Sequence, residues 1–406
     1  MKVVILGGAG LMAEAIERDL LDTELDMDGG GVSEIVVADV SPDKVKARVD
    51  ELQSPKVSPA VIDLMDHKAL VKLIKGHDVV INAAPTPTTL NAARGALEAG
   101  AHFMGLVGVD MPNSAPDAPK DELGQPTEAF LDQLDEEYKK AGLTGIMGMG
   151  SMPGTSNIMA RYFVDKLDTV ESIVFSYVYA SLTKTKTFFQ FSPAGMIGQY
   201  TTEPIVLRDG KLIRIPPRSG RETALYPEPI GMRELFYILH PEAYAFFRSF
   251  RDKGLKNAGT KAGWGPDFLG KMEFLDSVGL FNRQPIKVGD VTVSPLLVFM
   301  SVAAPKPTAE KVVPKDYGCT RAVVRGEKSG EKLEYTGDLL TPPYKELNAA
   351  QYRTGLPTAI ATRMIKRGDI KRKGAFTPEV GVDPEIYLGE LARRGQHLTY
   401  TVKYYV

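Results

Sequence analysis

Short apolar runs punctuate the first 150 residues, at 3–6, 35–38, 79–82, 102–106 and 144–149. Nearly continuous apolar runs of this length suit strands buried on both faces. Between them lie stretches of helical character, such as 11–21 and 88–99, the second stopped by Gly100. Ser41 is placed to cap a further helix, with Pro42 at its first position. Strand and helix in alternation predict a parallel, doubly wound sheet of the Rossmann type, whose ligands sit beyond the carboxyl ends of the strands.

Past about residue 155 the pattern changes. Residues 173–182 have strand character, and 205–213 read as a hairpin turning at Asp209-Gly210. Helices are expected near 231–240, 241–251, 266–278 and 294–303, and a second hairpin over 320–327 and 332–336. In the tail, a helix over 357–367 stops at Gly368, Asp383-Pro384 caps a helix that Gly395 ends, and 398–406 is a strand. The reading is therefore α/β in three parts: a dinucleotide-binding domain over 1–150, a mixed α/β substrate and dimerisation domain over 151–350, and a tail over 351–406. No internal repeat and no long low-complexity linker interrupts it.

The first strand runs into Gly8-Ala9-Gly10-Leu11-Met12-Ala13, a G-x-G-x-x-A turn opening a helix. Gly8 is expected to permit the tight turn and Gly10 the approach of backbone N–H groups to a pyrophosphate. Ala13 is expected to let helix and strand pack closely. The helix N-terminus adds partial positive charge where phosphates would sit. Asp39 ends the second apolar run, where a carboxylate accepts from a ribose 2′-OH and repels a 2′-phosphate; this predicts NAD over NADP. Its distance from the glycines exceeds the usual ~20 residues, and the polar stretch 22–33, with Gly29-Gly30-Gly31, accounts for that as a lengthened loop. Leu11, Met12, Val40, Ala84, Pro85 and Thr86 fall on the same sheet edge and complete the expected cofactor contacts. The hydroxyl of Thr88 or Thr89 is placed to cap the next helix. Lys44, just past Asp39, reads as a solvated charge.

Composition narrows the classes. Hydrophobic residues are 43% and charged residues 25% of 406, with a formal net charge of −2, which gives no reason to expect nucleic acid or an anionic membrane as partner. One cysteine, Cys319, excludes an internal disulfide and fits a reducing cytoplasm, and its surroundings make it a packed strand residue. Five dispersed histidines show no metal-ligand spacing, so no metal is expected. No signal peptide and no membrane span are expected.

Several segments carry a family resemblance: residues 96–104 (Ala-Leu-Glu-Ala-Gly-Ala-His-Phe-Met), 150–157 with its Met152-Pro153-Gly154 turn, 191–197 with Tyr200, 209–211, 231–240 and Thr354-Gly355-Leu356-Pro357. Together they resemble saccharopine dehydrogenase-like enzymes, in the branch of saccharopine reductase, lysine 6-dehydrogenase and carboxynorspermidine dehydrogenase. The resemblance implies hydride transfer between a nicotinamide and the C–N bond of an amino-acid or polyamine derivative, in a homodimer, with the 357–367 helix rejoining the nucleotide-binding domain. In the synthetic direction an aldehyde and an amine form an imine that is reduced; in the oxidative direction an amine becomes an imine and is hydrolysed.

Two positions depart from the family pattern. Arg94 stands where saccharopine reductases carry a lysine proposed for acid–base work; an arginine there is either a fork for a substrate carboxylate or an exposed helix charge. Met152 stands where they carry an aspartate, as lysine 6-dehydrogenase-like members also do not, which counts against saccharopine as substrate. His240 is the most attractive proton carrier, with a charge at a helix C-terminus as its bland alternative. Met152, Pro153, Gly154, Tyr200 and Arg221 are expected near substrate; Arg218 is a weaker candidate. Asn157 reads first as a helix cap, Glu234 as an arginine's partner and Trp264 as packing. A lysine 6-dehydrogenase-like oxidation or related imine reduction leads. A carboxynorspermidine dehydrogenase-like reductase and an NAD-binding regulatory protein without turnover are the alternatives.

Overall fold

The computed structural model describes residues 1–26, 31–111, 113–182, 189, 193–265, 268–303, 315–344 and 346–405. Gly29, Gly30, Phe191, Ser192, Pro266 and Val406 lie outside the described residues. The chain begins β1 (Lys2–Leu6), α1 (Leu11–Leu21), β2 (Glu34–Asp39), α2 (Pro42–Leu52), β3 (Val57–Val61), α3 (His67–Ile74), β4 (Val79–Asn82), α4 (Thr89–Ala99), β5 (His102–Gly105), α5 (Glu128–Lys140) and β6 (Thr144–Ile146). It continues α6 (Thr155–Val164), β7 (Thr169–Ser181), α7 (Pro193–Thr201), β8 (Ile205–Arg208), β9 (Lys211–Arg214), β10 (Glu222–Tyr226), β11 (Gly231–Tyr237), α8 (Glu242–Phe250) and β12 (Asn257–Gly263). The last part is α9 (Phe268–Ser277), β13 (Ile286–Val288), β14 (Val291–Val293), α10 (Pro295–Ala303), β15 (Asp316–Lys328), β16 (Glu331–Thr341), α11 (Ala349–Arg367), β17 (Gly374–Phe376), α12 (Pro378–Gly381), α13 (Pro384–Arg393) and β18 (Leu398–Tyr405).

Seven parallel strands form the first sheet in the order β17-β6-β5-β4-β1-β2-β3, the doubly wound arrangement expected. Valine and isoleucine fill β1, β2 and β4 because helices cover both faces, and Val3, Val4, Ile5 and Leu6 are fully buried. Strand order reverses at β1, between β4 and β2, which makes the loops after β1 and β4 the walls of the ligand crevice. Two strands are not signalled by the sequence pattern. β3 carries Pro59 and, after buried Val57, alternates half-buried with exposed residues, as an edge strand can; β17 is three residues of the tail that extend the opposite edge beside β6.

The second sheet runs β10-β11-β12-β7-β15-β16-β18, with β8 also paired to β12 and β9 paired to β8. It is antiparallel apart from β12 beside β7. The β8–β9 hairpin turns at Asp209 and Gly210, both with positive φ (49° and 76°), as the Asp-Gly pair requires. Residues 231–237, expected as helix, are a strand. Arg233 and Leu235 are buried while Met232 and Glu234 are exposed, a period of two that an arginine on the buried side disguises.

α11 also starts earlier than expected. Asn348 caps it, accepting from Gln351 N at 2.8 Å while Gln351 Oε1 accepts from Asn348 N at 3.2 Å. Pro357 therefore lies inside the helix and withholds a donor from the Arg353 carbonyl. α11 packs on α1 where Gly355 meets Met12 and Ala15; a Cβ at 355 would stand 2.6 Å from the Met12 carbonyl oxygen. Buried Asp19 of α1 ties this packing to the tail, accepting from Arg363 at 3.3 Å and Arg394 at 2.6 Å. Also on α1, Glu17 is fully buried and its carboxyl makes no hydrogen bond, with Arg48 Nε 3.5 Å away. Burial pushes its pKa up to about 8, against the pull of Arg48. One apolar core runs from Val3 and Ile5 through Ile158, Phe163, Leu356 and Ile360 to Phe175 and Ala322, so both sheets share it.

Candidate functional site

The turn after β1 does what the motif needs, with its glycines in different roles. Gly7, outside the motif, carries the positive φ (71°), and a Cβ on it would stand 2.7 Å from Ala84. Gly8 is instead the close-approach position: a Cβ there would meet Ile5 O and Val37 Cγ1 at 2.9 Å. Gly10 opens α1 with extended backbone and no side-chain cap, leaving the first-turn N–H groups for an anion. Ala13 is fully buried, whereas Leu11 and Val40 stand exposed at the crevice mouth. Asp39 ends β2, and its Oδ1 accepts from Val40 N at 2.8 Å, which fixes the carboxylate at the strand end. After β4, Pro85 and Thr86 lead through a helical turn into α4. The threonine hydroxyls there do not cap α4; Thr88 and Thr89 donate back to the carbonyls of Pro85 and Thr86, both at 2.8 Å. These features fit a dinucleotide.

Beside this crevice, the Met152-Pro153-Gly154 turn bridges the two sheets. Met149 N donates to Gly105 O at the end of β5, and Gly150 lies against Leu106. At Gly154 φ is 131°, and a Cβ would stand 1.9 Å from Gly150 O, so this glycine is obligatory. Met152 packs against both the shared core and the aromatic cluster of the second sheet. Asn157 is a cap, as expected: its Oδ1 accepts from Gly154 N at 2.9 Å and its Nδ2 donates to Glu379 at 2.7 Å.

His240 does not end a helix. It lies in the link from β11 to α8, which removes the helix-dipole role, and its Nδ1 is 2.5 Å from Glu242 Oε2. Glu242 is fully buried and also accepts from Ser156 at 3.0 Å and Thr260 at 3.2 Å. Burial alone would raise its pKa, but the charge and hydrogen bond of His240, with bonds from its own backbone and Ser156, hold it below the ordinary carboxylate value. A carboxylate on Nδ1 fixes the imidazole and leaves Nε2 as the exchanging nitrogen.

Tyr177 and Tyr179 project from the same face of β7 next to this pair; the Tyr177 ring lies 6.4 Å from that of His240, and its hydroxyl donates to Gln199 at 2.5 Å. The Arg353 guanidinium carbon lies 5.1 Å from the Tyr177 ring centre and 4.4 Å from that of Tyr179. Arg353 donates to the Tyr179 hydroxyl through Nη2. Its helix, α11, runs past the dinucleotide turn, where Gln351 donates to Leu11 O at 3.2 Å. Glu242, Ser156, Thr260, Tyr177, Tyr179 and Arg353 were not singled out from sequence. The usable signals were the alternating Tyr-Val-Tyr and the spacing His240-Pro241-Glu242.

Of the other candidates, Tyr200 and Trp264 share the aromatic cluster of Tyr177 and Tyr179. Arg94 is exposed on α4, 6.0 Å from the Phe130 ring. Tyr200 is buried among Phe281 and its neighbours, with Arg218 4.5 Å above its ring. Arg221 is engaged by Glu273 and by Glu234, the latter at 3.7 Å. Trp264 packs edge-on to Phe236 and Phe268, each at 5.1 Å, and Cys319 is buried in β15. Among the described residues there is no group of side chains that could hold a metal and no helix long and apolar enough to cross a membrane.

A switch-point turn of this build defines a dinucleotide-binding α/β protein. Residues 3–146 match the saccharopine dehydrogenase NADP binding domain and residues 150–396 the saccharopine dehydrogenase C-terminal domain, so the chain belongs to the saccharopine dehydrogenase family, a family of oxidoreductases with an NAD(P)-binding domain. A carboxyaminopropylagmatine dehydrogenase of Synechocystis sp. is 23% identical, over 97% of this chain and 96% of its own. A carboxynorspermidine synthase of Vibrio alginolyticus is 24% identical over 82% and 80%. Saccharopine dehydrogenase (L-Glu forming) of Saccharomyces cerevisiae shares the fold with a TM-score of 0.72 at 15% identity, covering 99% of each chain. Homospermidine synthase of Legionella pneumophila, in complex with NAD, does so at 0.64 and 13%, covering 100% of this chain and 91% of its own.

Proposed function

We propose that this protein uses NAD(H) to reduce the C=N bond of an imine, formed from an aldehyde and an amine with loss of water, to a carboxylated amine, or to run the reverse oxidation to an imine that water then hydrolyses. The observation that carries the reading is the pairing of half-buried His240 with buried Glu242, linked through Ser156 to the Pro153 turn at the edge of the dinucleotide crevice. Polyamine-type conjugates rank ahead of lysine as substrate, an order supported by the names of the two curated relatives. Asp39 supports NAD over NADP.

The turn after β1 would hold the pyrophosphate, Asp39 the ribose, and the loop after β4 the nicotinamide side. A bound nicotinamide supplies or accepts hydride. Glu242 orients His240, so that Nε2 delivers a proton to the nitrogen on reduction and removes one on oxidation. Met152 and Pro153 exclude water from the reacting carbon.

The test is a screen of the purified protein with NAD+ or NADP+ and a panel of diamines, diamino acids and N-carboxyalkyl amines, and with NADH and aldehyde–amine mixtures. Hydride transfer at a C–N bond, faster with NAD than NADP, is expected. Tight NAD binding with no transfer in either direction would leave the regulatory alternative, and preference for NADP would sink the role given to Asp39.

A further inference from the structure

We infer that Arg353 is the anchor for a carboxylate of the substrate. Arg353 is about nine-tenths buried, and its Nε and Nη1 make no hydrogen bond. Among the described residues no carboxylate pairs with it; its neighbours are the faces of Tyr177 and Tyr179 and the Tyr179 hydroxyl. A buried guanidinium with a free edge is unfavourable unless an anion meets it, and a planar fork matches a carboxylate. Gly318 on β15 leaves the space beside its stem without a side chain, since a Cβ there would stand 3.5 Å from Arg353 Cδ.

Position turns this orphaned cation into part of the site. Tyr177 neighbours both groups, its ring centre 5.1 Å from the Arg353 guanidinium and 6.4 Å from the His240 ring, so a carboxylate on Arg353 and a nitrogen at His240 would sit around one side chain. Two residues further along the helix, Gly355 rests on Met12 of the dinucleotide-binding helix. One rigid element thus sets the carboxylate relative to the cofactor crevice. This assignment rests on the proposed chemistry for its meaning, and it selects substrates that carry a carboxylate on the reacting amine or aldehyde over plain diamines.

Calorimetric titration of the full-length, NAD-loaded protein with matched amines tests it. The pairs are L-ornithine and putrescine, L-lysine and cadaverine, and N-(3-aminopropyl)glycine and N-methyl-1,3-diaminopropane, each differing by one carboxyl. In at least one pair the carboxylated member is expected to bind at least about 30-fold tighter. Arg353→Met is expected to erase that preference with NAD affinity unchanged, and Arg353→Lys, which keeps the charge but not the fork, to leave a few-fold remnant. No carboxylate preference in any pair, no binding by any member, or a preference that survives Arg353→Met would overturn the assignment. A lower melting temperature in Arg353→Met with the preference intact would make Arg353 only a strut between α11 and β7. If Arg353→Met does not fold, an undiminished preference in Arg353→Lys decides against the anchor. Turnover is measured separately: carboxylate-dependent binding without hydride transfer would retain the anchor and reject the oxidoreductase reading.

Discussion

His240→Asn keeps a polar side chain beside Glu242 but removes the proton carrier, so kcat is expected to fall about 10²- to 10⁴-fold while NAD affinity holds. Glu242→Gln keeps the shape but removes the carboxylate that holds His240 Nδ1; kcat is expected to fall with NAD affinity unchanged, and a kcat equal to that of the native protein would deny Glu242 this role. Glu17 makes a different prediction. Its folded pKa, near 8, lies above its unfolded value, so the carboxyl favours folding at low pH and that contribution is lost as pH rises from the unfolded to the folded value. Glu17→Gln is therefore expected to gain stability relative to the native protein between pH 5 and pH 8, by about 3 kcal/mol, with no further gain above. A melting-temperature difference that is flat with pH would show that Arg48 neutralises the site. At this scale the sequence exposed His240, whose chemistry is rare in the chain, but not Glu242 or Arg353, whose meaning comes from burial. Gly7 was hidden too, because the motif draws attention to Gly8 while the positive φ falls one residue earlier.

α11 joins the site to the cofactor half through a glycine contact. Gly355→Val would drive side-chain atoms into Met12 O and Ala15 Cβ, which lie only 2.6 and 2.8 Å from where the Cβ must stand, and is expected to cost about 1–3 kcal/mol by denaturant unfolding. Weakened NAD binding should accompany it, since the displaced partner is the first turn of α1; stability lost with NAD affinity intact would mean that the helices separate elsewhere. Elements were legible where pattern and burial agree. β1, β2, β4 and β5 follow from their apolar runs, and Ser41, Asp383, Gly100 and Gly368 act at the helix ends where they were placed. The pattern misled where a polar residue is buried for a tertiary reason. Arg233 donates to Tyr179 O at 3.1 Å, so a strand with arginine inside reads as an amphipathic helix. Pro357 likewise signalled a helix start, whereas packing on α1 carries the helix through it.

Across the whole molecule, the second sheet leaves apolar surface on one side. Met232 of β11 and Phe274 of α9, more than half exposed, line a groove of about 700 Å3 with Phe236, Trp264 and Phe268, and Glu234, Lys271 and Glu273 add charge to its walls. Apolar exposure of this kind ordinarily marks an interface, and a second copy of the chain is the occupant we propose. Light scattering is expected to give a dimer, and the double substitution Met232→Glu, Phe274→Glu a monomer; a native monomer would end this expectation. The tail has a further consequence. β17 completes the first sheet and α11 covers α1, while β18 returns to the second sheet. The sequence is thus interleaved: residues 349–405 supply parts of both halves alternately. A chimera meant to trade cofactor preference between relatives at a single junction after residue 150 would inherit an edge strand and a covering helix from the wrong parent. Recombination that respects the molecule must exchange two separate stretches and keep the contact at Gly355 within one lineage.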